Sequence, residues 1–176
     1  KADEIECNLD GSVGGNIRYA RNTVSTAGEE SDLVLAVKST FGKRTGTATI
    51  NEFDNASLEK VVRRSEELAK LAPENNEHMP VFGPQKYSPS HTYFESTANV
   101  TPENRAQAAE DSIVPSKKNR LVAAGFLEEF VTFSAILNNK GLFAYNQSTD
   151  VDFSVTIRTE DGKGSGWVTR NFSDYK

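Results

Sequence analysis

Residues 33–54 and 153–174 align without a gap at an offset of 120 positions: LVLAVKSTFGKRTGTATINEFD above FSVTIRTEDGKGSGWVTRNFSD. Gly42/Gly162, Lys43/Lys163, Gly46/Gly166, Thr49/Thr169, Asn51/Asn171 and Asp54/Asp174 are identical, and apolar positions such as Leu35/Val155 and Val37/Ile157 correspond. A strand-like segment precedes each copy. The chain therefore reads as an internal duplication of a strand, a glycine hairpin and a second strand, over residues 14–72 and 121–176. Any fold it adopts must hold two such units. Copy one runs from Asp54 into an amphipathic helix, whereas the sequence stops at Lys176, just after Asp174. The expectation is an N-terminal domain, 1–176, of a longer protein, with its second unit truncated.

Alternation of apolar and polar residues predicts strands in EIECNLD, NIRYARNTVST, DLVLAVKST and TGTATINEF, then in LVAAGFLEEFVTFSAIL, LFAYNQS, VDFSVTIR and WVTRNF. DGSVGG at 10–15, FGKRTG, NNKG and DGKGSG supply turn chemistry, and Glu128–Glu129 reads as a surface bend. Two main helices are expected. The first spans residues 55–72, with Leu58, Val61, Val62, Leu68, Leu71 and Ala72 on one face, Asp54 or Asn55 as cap and Pro73 as stop. The second spans residues 101–114, with Thr101 as cap, Ala106, Ala109 and Ile113 as its apolar face and Pro115 as stop. Residues 73–100, with prolines at 73, 80, 84 and 89, read as an irregular loop. The class is α+β with a largely antiparallel sheet.

Charge and cysteine usage narrow the function. Twenty basic residues against 25 acidic ones leave a net charge of −5, which argues against a nucleic-acid partner. The run KKNR at 117–120 reads as a solvated turn. No stretch approaches the roughly 20 apolar residues of a membrane helix, and the opening KADEIEC has no signal-peptide pattern. The single cysteine, Cys7, fits a reducing compartment and a core-facing strand position. A cytoplasmic protein is expected.

DGKGSGW at 161–167 raises the question of a phosphate cradle. A P-loop needs its lysine after the last glycine and a helix beyond it; here Lys163 lies among the glycines and a strand follows. The hairpin reading leads. Gly162, Gly164, Ser165, Gly166 and Trp167 are retained as a candidate peptide-lining loop, because Trp167 is the only tryptophan. His78 and His91 read as exposed loop histidines, and Asp150 with Asp152 as a solvated pair on one strand face. Phe126, Phe130, Phe133 and Phe143 read as core.

The stretch GKRTGTATINEFDNASLEKVVRRSEELAKLAPEN, together with NNKGLFAYNQSTDVDFSVTIRTEDGKGSGW, resembles the TldD/PmbA family, also called modulators of DNA gyrase. The resemblance spans Gly14 to Asp174 and is weakest over 73–100. It implies a metal-dependent, cytoplasmic peptidase acting on peptides or partly unfolded proteins as a homo- or heterodimer. It further implies a divalent metal such as zinc in the full-length protein, held by an HExxxH motif that this chain lacks. No cofactor, catalytic residue or metal ligand carries over to any position here. The expected role is a domain that helps enclose substrate and dimerise without bearing the metal. The alternative is a PmbA-type partner or scaffold subunit without catalysis.

Overall fold

The computed structural model describes residues 1–176. Its elements, in chain order, are β1 (Glu4–Ala20), β2 (Thr23–Phe41), β3 (Arg44–Ile50), α1 (Asn55–Leu71), α2 (Glu95–Ala98), α3 (Pro102–Lys118), β4 (Leu121–Asn138), β5 (Phe143–Thr159) and β6 (Ser165–Phe172). The strands form one sheet in the order β3-β2-β1-β4-β5-β6, so each strand–hairpin–strand unit is a meander. The α+β class and its largely antiparallel sheet are as the alternation predicts.

The chain forms two compact units. The first comprises Lys1–Gly11, Asp32–Ser90 and Phe133–Asn146; the second comprises Ser12–Ser31, His91–Thr132 and Gln147–Lys176.

In the first unit β2 and β3 pair from Leu35↔Ile50 to Phe41↔Arg44 around a two-residue turn, with Gly42 at φ +60°. Asp54 caps α1, its Oδ1 accepting from the N–H groups of Ala56 and Ser57. The face that α1 buries is narrower than its apolar periodicity suggests. Ser57, Val61, Ser65 and Ala69 form the buried line, while Leu58, Val62 and Leu68 flank it half-buried and Leu71 is exposed. Small residues are needed there because α1 lies against the backbone of β3: a Cβ on Gly46 would strike Ala69 N, Ser65 O and Leu68 C. The Ser39 and Ser65 hydroxyls, 2.7 Å apart and buried, satisfy each other across that contact.

Residues 73–90 are irregular but tied down. Asn75 N–H donates to Lys43 O, Val81 N–H to the Glu4 carboxylate, Asn138 Nδ2 to Phe82 O and Ser90 Oγ to Asn146. Glu4 is the hub of this strap, since Lys140 Nζ also donates to it and His78 Nε2 lies 3.4 Å away. His78 is thereby largely buried, contrary to the expectation of an exposed histidine; only His91 is exposed.

In the second unit α3 packs Ala109 and Ile113 against Ile17 and Tyr19 of β1, Ala123 and Leu127 of β4 and Val155 of β5. Each fully buried aliphatic side chain contributes about 1.5–3 kcal/mol. Thr101 and Asn104 form a capping box at the start of α3. Arg21 and Asn22, both at positive φ, make the β1–β2 turn, and the Asn22 side chain anchors it to the backbone of Leu121 and Ala123.

Several expectations are corrected here. DGSVGG is not a turn, since β1 runs through it. Its glycines make room for side chains instead. A Cβ on Gly14 would strike Phe130 and Glu129 O, and one on Gly15 would strike the Arg105 guanidinium. In the first unit, Gly11 likewise admits Phe133 and Leu33. β2 likewise runs through the polar GEESD stretch, and β4 through Glu128–Glu129. Pro115 does not stop α3, which continues to Lys118. The ring sits on the exposed side, so the carbonyl it leaves unpaired can meet water, and Ser116 Oγ donates back to Ser112 O. Arg105, not Ala106, lies on the buried face of α3. Lys117 and Lys118 belong to the last helical turn. Phe143 is 63% exposed and is no core residue.

Candidate functional site

The glycine loop and the strand it feeds lie in the second unit. β6 ends the strand order and pairs with β5 alone, from Val151↔Phe172 to Arg158↔Ser165. Seven of its eight residues are exposed, and Trp167 keeps 68% of its surface accessible. An edge strand presents a row of unpaired N–H and C=O groups, which proteins usually blunt with charge, proline or a bulge. SGWVTRNF has one charge, Arg170, no proline and an unbroken register. The edge is open.

The loop itself is closed on its own backbone. Thr159 Oγ1 and Lys163 N–H donate to Asp161 Oδ1 at 2.6 and 3.1 Å. Gly162 N–H donates to Thr159 O, and Gly164 N–H to Thr159 Oγ1, both at 2.9 Å. The N–H groups a phosphate would need are spent, and a carboxylate occupies their centre. The Thr159 hydroxyl, then the Lys163 N–H, hold the Asp161 carboxyl below its usual range, so it is an anion at neutral pH. Gly162 takes φ +72°, as the turn requires, and Gly164 lies against Thr159. Ser165 opens β6, and a Cβ on Gly166 would meet nothing within 4 Å.

The two copies differ in a telling way. Leu35 faces Ile50, but its counterpart Val155 faces Val168 rather than Arg170, the counterpart of Ile50. The register has slipped by two residues, which widens the turn yet keeps every side chain on its original face. Gly46 seats a helix, whereas Gly166 stands free. Asp174 keeps part of the capping chemistry of Asp54: its Oδ1 accepts from Lys176 N–H and from Ser96 Oγ.

Asp150 and Asp152 share the face that also carries Glu128. They lie half-buried within a paired strand, with Asn171 Nδ2 donating to Asp150 Oδ1 at 2.8 Å. Burial first, then Asp152, Glu30 and Asp150, push the Glu128 carboxyl up. Cys7 is half-buried, and burial followed by Glu6 pushes its thiol up, away from nucleophilic use. No group of three or more His, Cys, Asp or Glu side chains comes together in a way that could hold a metal ion. His78 is engaged by Glu4 in the first unit, and His91 is exposed.

One polar cluster escaped the sequence reading. Arg105, 3% exposed, reaches from the first turn of α3 to Glu129 Oε1 at 2.5 Å and to Glu29 Oε1 at 2.9 Å. The signal was present, since Arg105 falls one helical turn before Ala109 on the face that Ile113 continues. A charged residue is ordinarily assigned to the solvent side.

Both glycine hairpins fall within domains of a known family. PmbA/TldA metallopeptidase domain 1 matches residues 10–69, and the PmbA/TldA metallopeptidase central domain matches residues 95–176. The chain belongs to the TldD/PmbA family. Among solved structures it is similar to TldE from Thermococcus kodakarensis, with a TM-score of 0.87 and 17% identity over 98% of this chain and 40% of that one. It is similar also to a proposed modulator of a DNA gyrase from Thermotoga maritima, with a TM-score of 0.84 and 15% identity over 98% of this chain and 40% of that one. A proposed modulator of DNA gyrase from Bacteroides thetaiotaomicron gives 0.82 and 14% over 99% and 42%. The chain thus spans about two fifths of the length of these structures. No curated protein matches the sequence significantly. No helix is long and apolar enough to cross a membrane.

Proposed function

We propose that this chain is the part of a TldD/PmbA-type peptidase that receives extended peptide or unfolded protein, without itself bearing the metal. The observation that supports this reading is the open edge of β6, with Trp167 exposed beside it. An extended peptide can add to such an edge as a further strand, its affinity coming from main-chain hydrogen bonds and its selectivity from alternate side chains. The loop 162–167 then flanks the bound strand as architecture and contact surface. Enclosure of the substrate, a homo- or heterodimeric assembly and a cytoplasmic setting complete the proposal. The metal chemistry lies outside this chain's residues. No catalytic step is assigned to any of them.

The test is amide-resolved NMR of the chain with a reduced, carboxymethylated polypeptide as the unfolded probe. Binding should perturb the amides of Ser165–Phe172 most, and the chain should not hydrolyse the probe with or without added zinc. Perturbation confined to other elements would refute the edge, and hydrolysis by the chain alone would refute its non-catalytic role.

A further inference from the structure

A cavity of about 160 Å³ lies in the second unit beside the Arg105 cluster, lined by Val13, Gly14, Val131, Ala98, Val100, Thr97 and the three charged residues. Its charged wall is built rather than incidental. Gly15 gives up a side chain so that the Arg105 guanidinium can sit against β1, and the Thr101 capping box fixes the turn that aims it. Arg105 uses Nη1 for Glu129 and Nη2 for Glu29. Glu129, 5% exposed, has its Oε2 buried without any hydrogen-bond partner. Thr97 cannot supply one: its hydroxyl donates to Ser173 O and accepts from Tyr175 N–H.

An unpaired carboxylate oxygen in such a place costs stability unless a donor reaches it. The charges point to the kind of donor. Glu29 and Glu129 share a single guanidinium, and no other cation lines the cavity, so the site carries a net formal charge of −1. The remaining walls are largely the aliphatic surfaces of Val13, Ala98, Val100 and Val131. Water could meet the hydrogen-bond need but neither the charge nor the apolar walls. A guanidinium would bring a flat, wide cation against the guanidinium already there. A compact ammonium on a short aliphatic stem meets all three conditions.

We propose that this cavity is a binding site for a primary ammonium group on an aliphatic chain, held by Glu129 and Glu29 with its stem against Val100 and Val131. The inference stands independently of strand addition at β6. A lysine side chain and a free chain terminus share this chemistry.

The test follows side-chain carboxyl and methyl NMR signals of the full chain during titration with n-butylammonium, with n-butanol as the neutral control. Butylammonium, and not butanol, should shift the Glu129 carboxyl and Ala98 methyl signals. Ala98→Leu, which narrows the cavity and leaves all three charges in place, should weaken binding at least about tenfold. Glu29→Gln, at a residue whose side chain is 66% exposed, should weaken it severalfold without unfolding the chain. Nα-acetyl-lysine amide and norleucine amide with a free amine then separate the two sources of ammonium. Equal response to butanol, unchanged affinity in Ala98→Leu, or binding of neither amino-acid amide would overturn the proposal and leave a hydrated cavity.

Discussion

Gly46→Ala and Gly166→Ala make one substitution at duplicated positions, and the structure predicts opposite outcomes. At Gly46 the new methyl would enter the α1 backbone at Ala69 N, Ser65 O and Leu68 C. Backbone atoms cannot swing aside as a side chain end can, so α1 must lift from β3. Overpacking of this kind costs about 1–3 kcal/mol. Lifting the helix also stretches the buried 2.7 Å Ser39–Ser65 hydrogen bond, worth about 1 kcal/mol more. The expected loss is about 2–4 kcal/mol, or roughly 4–16 °C in Tm for a chain of this size. At Gly166 the methyl meets nothing within 4 Å, and the change should be neutral or stabilising by up to about 1 kcal/mol. Urea unfolding followed by circular dichroism measures both. Equal destabilisation, or a silent Gly46→Ala, would refute the claim that one glycine seats a helix and its twin does not.

Arg105→Leu should destabilise by about 3–5 kcal/mol, because it leaves Glu129 buried and unpaired. Arg105→Leu/Glu129→Leu should recover most of that loss in the same unfolding assay. Burial holds the Glu129 carboxyl above its usual range despite Arg105. A carboxyl raised on folding favours the protonated native state, so the single variant should gain stability as pH falls from neutral through the range just above the ordinary glutamate value. Glu4→Gln should free the strap at residues 73–90, seen as faster tryptic cleavage after Lys86. Burial opposes ionisation of Glu4, but Lys140, Val81 N–H and His78 outweigh it and hold its carboxyl low. The wild-type strap should therefore stay closed until the pH drops below the ordinary glutamate range. Pro115→Ala, restoring an N–H donor toward Asp111 O on the exposed side of α3, should stabilise by about 1 kcal/mol and raise Tm.

Local periodicity and turn chemistry make much of the fold legible in the sequence. Alternation marked the strands, Asp54 and Thr101 marked the helix starts, and the closed loop at 159–164 bears out the reading of DGKGSG as a hairpin turn. These signals are carried by residues close in sequence. The differences share another origin. DGSVGG reads as a turn because glycine announces only a missing Cβ, and what fills the space comes from far along the chain: Phe133, Phe130 and Arg105. Pro115 reads as a stop because its position relative to solvent is a packing fact that spacing does not carry.

The sequence by itself determined the duplicated meander, the strand and helix types and the family, since each rests on spacing along the chain. Tertiary structure decided which identical glycine carries a helix, that β6 is left as an open edge, and that Arg105 is buried between Glu129 and Glu29. Those outcomes depend on which distant surfaces meet and which polar groups lose their water. Residue spacing does not encode that.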